Sequence, residues 1–120
     1  MKLTIYHNPR CSKSRQTLAL LEQRGIEPTV VEYLSEPPDQ ETTLRLARLL
    51  GISVAEMLRP NEDDYAALSS KYALDDDSGL AAGLAQHPKA LQRPIVVDED
   101  SERAVVGRPP ENVLALIDGD

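Results

Sequence analysis

The residue with the clearest chemical potential is Cys11, the only cysteine among 120 residues. It lies in the segment HNPRCSKSR, where an alternating, β-rich stretch gives way to a helical pattern. Backbone N–H groups and the positive end of the helix dipole can lower the pKa of a cysteine at a helix N-terminus from about 8.5 to between about 3.5 and 7.5. A lone cysteine is more often an inert, buried thiol. Because of its position, we predict that Cys11 is a reactive thiolate.

Basic residues surround this cysteine in the sequence, namely Arg10, Lys13 and Arg15. The whole chain has 13 Lys and Arg against 20 Asp and Glu, which gives a formal charge of −7. A local excess of positive charge in an acidic protein is typical of an anion site, although a solvated helix face is the ordinary alternative. The acidic total argues against non-specific binding to nucleic acid, which depends on clustered Lys and Arg.

Three residues after the cysteine the chain has Ser14, so the Cys-x-x-Cys pair of dithiol oxidoreductases is absent. Ser14 can donate a hydrogen bond to the thiolate, but it cannot form a disulfide. A thiol of another molecule, either glutathione or a protein cysteine, must therefore resolve any disulfide or adduct on Cys11. His7 is either a turn residue or a partner that favours the thiolate, and the sequence leaves both interpretations open.

The elements that must position these residues follow from the pattern of apolar side chains. A strand over residues 2–6, a helix from about 12 to 24 and a strand over 29–34 form a βαβ unit. A helix from a cap at Asp39 to Gly51 follows, and after it come shorter helical stretches around 54–58, 63–68 and 80–86. The chain ends with strands and a helix, at residues 94–97, 103–106 and 111–117.

This order predicts an α/β, thioredoxin-like fold: a mixed four-stranded sheet built as βαβ, helical insertion, ββα. We expect a single domain over residues 1–120, with the helical insertion at approximately 39–88.

Composition restricts the cellular setting. No stretch approaches the roughly 18 consecutive apolar residues of a membrane span, and the N-terminus lacks the apolar region of a signal peptide. One cysteine excludes an internal disulfide and is typical of a reducing compartment. We expect a cytoplasmic monomer that contacts neither membrane nor nucleic acid and holds no metal or bound cofactor.

Four separated blocks of the sequence resemble the glutaredoxin-linked arsenate reductases of bacteria, in matching order and over almost the whole chain. The blocks are IYHNP before Cys11 with Ser14-Arg15 after it, GIS and Leu58-Arg59 in the middle, QRPIVV, and Arg108-Pro109 before the last helix. The resemblance implies a thioredoxin-like fold with a helical insertion, which agrees with the pattern of elements.

The resemblance also implies roles for individual side chains. Cys11 would attack the substrate. The guanidiniums of Arg59, Arg93 and Arg108 would bind the oxyanion. The thiolate would be supported by His7, Ser14 and Arg15. Guanidinium groups present planar, paired donors that suit a tetrahedral oxyanion such as arsenate. Each arginine could instead be an ordinary surface residue, and Arg103 is the residue most easily mistaken for Arg108.

The reductant implied by the resemblance is external. Glutathione would attack the arsenate adduct on Cys11, arsenite would leave, and a glutaredoxin would reduce the mixed disulfide that remains. The family also implies a cis bond between Arg93 and Pro94.

The sequence is therefore compatible with three functions. The leading hypothesis is an arsenate reductase that depends on glutathione and glutaredoxin. The alternative is a glutathione-dependent thiol-disulfide oxidoreductase without arsenate activity, whose arginines bind glutathione carboxylates. A non-enzymatic regulator that binds RNA polymerase ranks last, because that branch of the superfamily typically uses a Cys-x-x-Cys switch and Ser14 removes it.

Overall fold

A four-stranded mixed β-sheet, in the order β2-β1-β3-β4, carries the loop of Cys11. The computed structural model describes residues 1–118. The strands are β1 (Leu3–His7), β2 (Thr29–Glu32), β3 (Ile95–Asp98) and β4 (Arg103–Val106). Strand β1 runs parallel to β2 and antiparallel to β3, and β3 runs antiparallel to β4. The predicted mixed sheet is confirmed.

Five α-helices complete the described chain: α1 (Ser12–Gln23), α2 (Gln40–Leu50), α3 (Asp63–Lys71), α4 (Asp77–Leu84) and α5 (Leu114–Ile117). Short 3₁₀ helices lie at Ala55–Met57, Pro88–Ala90 and Pro110–Val113. The predicted α/β class and the thioredoxin-like order of elements are confirmed.

The last helix differs from the prediction in its first half. It was expected to be α-helical from residue 111, but Pro110–Val113 is a 3₁₀ helix and only Leu114–Ile117 is α-helical. The N–H of Asn112 donates to the carbonyl oxygen of Pro109, three residues back, at 3.0 Å, which is the bond of a 3₁₀ turn.

The described chain forms two compact units. The sheet unit contains residues 1–33 and the chain from Arg93 onward, and the helical unit contains Leu34–Gln92. The expectation of one domain with an insertion at approximately 39–88 stays a prediction.

In the sheet unit, one side of α1 is fully buried. Ser14, Thr17 and Leu21 recur at helical spacing and lie on this side. Leu21 packs in the core with apolar residues of the sheet and of the C-terminal segment: Leu3, Ile5, Val96, Val113 and Leu116. Burying this stripe fixes the start of α1, and therefore Cys11, at the end of β1.

In the helical unit, local chemistry sets both ends of α2. The carboxylate of Asp39 accepts a hydrogen bond of 2.8 Å from the backbone N–H of Thr42, as the predicted cap requires. Gly51 ends the helix in the left-handed conformation, with φ of 72°, which a glycine adopts without strain. Between these ends, Thr43, Leu46 and Ala47 form the buried side of the helix.

No helix within residues 1–118 is long and apolar enough to cross a membrane.

Thr43 provides a test of this packing, because it is fully buried and its hydroxyl oxygen has no hydrogen-bond partner. Valine keeps the branched shape and removes the unsatisfied polar group. We expect Thr43→Val to raise the free energy of unfolding by about 1 kcal/mol, measured by urea denaturation. The matched variant Thr17→Val should lower it, because the Thr17 hydroxyl lies within hydrogen-bond distance of two carbonyl oxygens. A loss of stability in Thr43→Val would contradict the account.

Candidate active site

Cys11 occupies the N-cap position of α1, with an extended backbone (φ −95°, ψ 123°). Its backbone N–H donates to the carbonyl oxygen of Asn8 at 3.0 Å, and its own carbonyl oxygen accepts from the N–H of Arg15 at 3.0 Å. The side-chain oxygen of Asn8 accepts from the N–H of Arg10 at 2.9 Å. These bonds close the loop into a tight turn and place the sulfur at the free N–H groups of the first helical turn.

Donors from three segments reach the sulfur of Cys11. Burial raises the pKa of the Cys11 thiol, but four hydrogen bonds lower it, and the net shift is downward. These donors are, in order of effect, the backbone N–H of Ser14, the Arg93 side chain, the backbone N–H of Lys13 and the Arg108 side chain. The site therefore stabilises the thiolate relative to that of an ordinary cysteine.

Arg93 and Arg108 are brought together at this sulfur although they lie on different segments. Nη1 of Arg108 is 3.5 Å from Sγ of Cys11 and 3.3 Å from the carbonyl oxygen of Arg93, to which it also donates. Both arginines precede a proline through a cis bond. The cis bond expected at Arg93-Pro94 is present, and that at Arg108-Pro109 was not predicted.

Arg103 does not share the position of Arg108. Its guanidinium donates to the Ser101 hydroxyl at 3.3 Å and to the carbonyl oxygens of Ala115 and Leu116 at 3.4 and 3.5 Å. It therefore satisfies carbonyl groups of α5. This structural role makes Arg103 a suitable control for substitutions of Arg108.

His7 and Ser14 form a buried pair beside the loop. Nδ1 of His7 lies 2.6 Å from Oγ of Ser14, and the same oxygen accepts from the backbone N–H of Asn8 at 3.0 Å. Burial lowers the pKa of His7, the charge of Glu32 raises it and that of Arg15 lowers it again, with a net decrease. The lowered pKa favours the neutral imidazole over the charged form. Its predicted support of the thiolate stays a prediction.

Two other predicted residues, Arg15 and Arg59, donate hydrogen bonds to backbone carbonyl oxygens of their own unit. Arg15 donates from Nη1 to the carbonyl oxygen of Pro9 at 3.0 Å, and this bond braces the loop against α1. Arg59 belongs to the helical unit, where its backbone N–H donates to the carbonyl oxygen of Ala90 at 2.7 Å. The roles implied for these two side chains stay predictions.

Asn8 was missed as a positioning residue. Its carbonyl oxygen, its N–H and its side chain all hold the loop. Asparagine followed by proline is a typical start of a turn, so the signal was present in the sequence. Among residues 1–118, no three His, Cys, Asp or Glu side chains come together in a group that could hold a metal ion.

Comparison with known proteins places the chain in a family. Residues 6–116 match the ArsC family. This chain belongs to the ArsC family. Among its members, it is 43% identical to an arsenate reductase of Neisseria meningitidis serogroup B, over 97% of this chain and 98% of that protein. It is 44% identical to the Escherichia coli K12 protein YfgD, over 97% of both chains.

A solved structure is also similar to this chain. The arsenate reductase from Vibrio cholerae superposes with a TM-score of 0.86 at 48% identity, covering 95% of this chain and 96% of that one. The similarity extends over both units of this chain, so the family relationship includes the helical segment as well as the sheet.

The lowered pKa of Cys11 gives a direct prediction. Because the thiolate is the reactive form, the rate of alkylation by iodoacetamide should rise with pH around a midpoint below about 8.5. Removing the Arg108 cation destabilises the thiolate, so Arg108→Ala should move that midpoint upward, whereas Arg103→Ala should leave it unchanged. A wild-type midpoint at or above that of a free cysteine would show that the thiol is not activated.

Proposed function

We propose that this chain reduces arsenate to arsenite, with Cys11 as the nucleophile and glutathione and a glutaredoxin as the source of electrons. The observation that carries the proposal is the convergence of Arg93 and Arg108 on the sulfur of a single cysteine with a lowered pKa. The names of the Neisseria and Vibrio relatives support arsenate as the oxyanion.

The two guanidiniums supply the charge that an oxyanion requires. In the free protein they donate to the thiolate, and an arsenate beside Sγ would share these donors. As the thiolate attacks, its negative charge passes to the arsenate oxygens. The two guanidiniums can therefore stay paired with this negative charge throughout the step. Backbone N–H groups at the start of α1 add further donors for an anion.

The first chemical step forms a bond between sulfur and arsenic. The Cys11 thiolate attacks arsenic(V), and one oxygen leaves as hydroxide and is protonated to water. The oxidation state of arsenic does not change in this step. The product is a Cys–S–As(V) adduct, held by the arginines that bound the substrate.

The reduction needs a second thiol, which this chain does not contain. A glutathione thiolate attacks the sulfur of Cys11, the S–As bond breaks, and its electron pair stays with arsenic, which becomes arsenite. In sum, arsenate and two thiols give arsenite, one disulfide and water. A glutaredoxin thiol then takes the glutathione from Cys11 and restores the thiolate. This dependence on reduced thiols fits a cytoplasmic enzyme.

Arsenite formation in the presence of glutathione and glutaredoxin tests the proposal. Cys11→Ser should abolish turnover, because a serine hydroxyl is not ionised at neutral pH. Losing one charge-assisted hydrogen bond should raise the KM for arsenate roughly 10- to 100-fold in Arg93→Ala and in Arg108→Ala. These variants are compared at a pH at which Cys11 is ionised in each of them, with Arg103→Ala as the matched control.

The outcomes separate the proposal from its alternatives. Reduction of mixed disulfides without arsenate-dependent turnover in the wild type would favour a glutathione-dependent oxidoreductase. An arsenate KM that is unchanged in both arginine variants would exclude these residues from oxyanion binding.

A further inference from the structure

Three buried residues meet close to the groups that surround Cys11, and none of them carries a charge. Thr17 lies on α1, one turn after Lys13. Pro94 directly follows Arg93, and Gly107 directly precedes Arg108. All three are buried. Each therefore belongs to one of the three segments that deliver a donor to the sulfur.

The hydroxyl of Thr17 joins two of these segments. Its Oγ1 lies 2.8 Å from the carbonyl oxygen of Lys13 and 3.2 Å from that of Gly107, and it is placed to donate to both. A threonine hydroxyl has one proton, so the two carbonyl oxygens share it. The backbone N–H of Lys13 donates to Cys11, and Gly107 leads into Arg108. The shared proton thus connects the turn that holds the thiolate to the segment that holds a guanidinium.

Gly107 makes the close approach of these segments possible. Its N–H donates to the carbonyl oxygen of Pro94 at 2.9 Å. A Cβ atom at Gly107 would lie 2.6 Å from Oγ1 of Thr17 and 2.9 Å from Cγ of Pro94, which is too close for either contact. Any side chain at this position would therefore push the segment of Arg108 away from α1.

The contact between Arg108 and the sulfur is sensitive to such a shift. Nη1 lies 3.5 Å from Sγ, and a displacement of about 1 Å would take it beyond hydrogen-bond distance. The mutual position of α1 and residue 107 therefore decides whether Arg108 reaches Cys11.

We propose that Thr17 is a positioning residue. Its hydroxyl, shared between two carbonyl oxygens, holds the first turn of α1 next to the segment of Arg108. The absence of a side chain at Gly107 allows this close contact. The contribution of Thr17 to arsenate reduction rests on the proposed function. Its effect on the geometry at the sulfur does not depend on the proposed function, and this effect can be measured without substrate.

The test compares Thr17→Val, Thr17→Ser and Gly107→Ala in the full chain. Alkylation of Cys11 by iodoacetamide, followed against pH, reports whether Arg108 still supports the thiolate. Thr17→Val and Gly107→Ala should move the midpoint upward by about half a unit or more, whereas Thr17→Ser keeps the hydroxyl and should match the wild type. Thr43→Val, the same substitution at a buried threonine of the helical unit, should leave the midpoint unchanged.

Turnover provides the second readout. At a pH at which Cys11 is ionised, Thr17→Val should lower kcat/KM for arsenate about tenfold, with Thr17→Ser within about twofold of the wild type. An unchanged alkylation midpoint in folded Thr17→Val would overturn the proposal. A midpoint in Thr17→Ser that shifts as far as the midpoint in Thr17→Val would also overturn it. If Thr17→Val does not fold, an unchanged midpoint in Gly107→Ala would overturn it. Failure of the proposed function would appear separately, as a wild type that does not reduce arsenate.

Discussion

An ionised sulfur that is partly removed from water must be compensated by hydrogen-bond donors and positive charge, and the sheet unit is organised around this requirement. Burial alone would keep the Cys11 thiol protonated. Two backbone N–H groups from the start of α1 and two guanidiniums from later segments oppose it. The same donors suit an oxyanion, so one arrangement can activate the nucleophile and hold its substrate.

The second constraint is that the chain has one thiol. Reducing arsenic(V) to arsenic(III) takes two electrons, and forming one disulfide from two thiols supplies them. The position at which a dithiol oxidoreductase has its second cysteine holds Ser14 instead. Its Oγ lies 2.6 Å from Nδ1 of His7 and accepts from the N–H of Asn8. At this position a dithiol enzyme has a cysteine that supplies electrons, whereas Ser14 holds the loop by hydrogen bonds. The second thiol must therefore come from another molecule.

Local patterns predicted the parts of the fold that local chemistry determines. The strand β1 and the two ends of α2, at Asp39 and Gly51, depend on neighbouring residues, and each was identified from the sequence. The 3₁₀ start of the last helix was missed. The convergence of Arg108 on Cys11 joins residues 97 positions apart, and only the family resemblance indicated it. Thr17 was not identified at all, because its second acceptor lies 90 residues away.

The use of Cys11 and one external thiol can be followed by the intact mass of the protein, measured during turnover with arsenate and glutathione but without glutaredoxin. We expect the protein to accumulate with one glutathione attached through a disulfide. Peptide mapping should place this glutathione on Cys11, and the amount of arsenite formed should match the amount of protein converted. Arsenite formation well in excess of the protein, with Cys11 still a free thiol, would contradict the account.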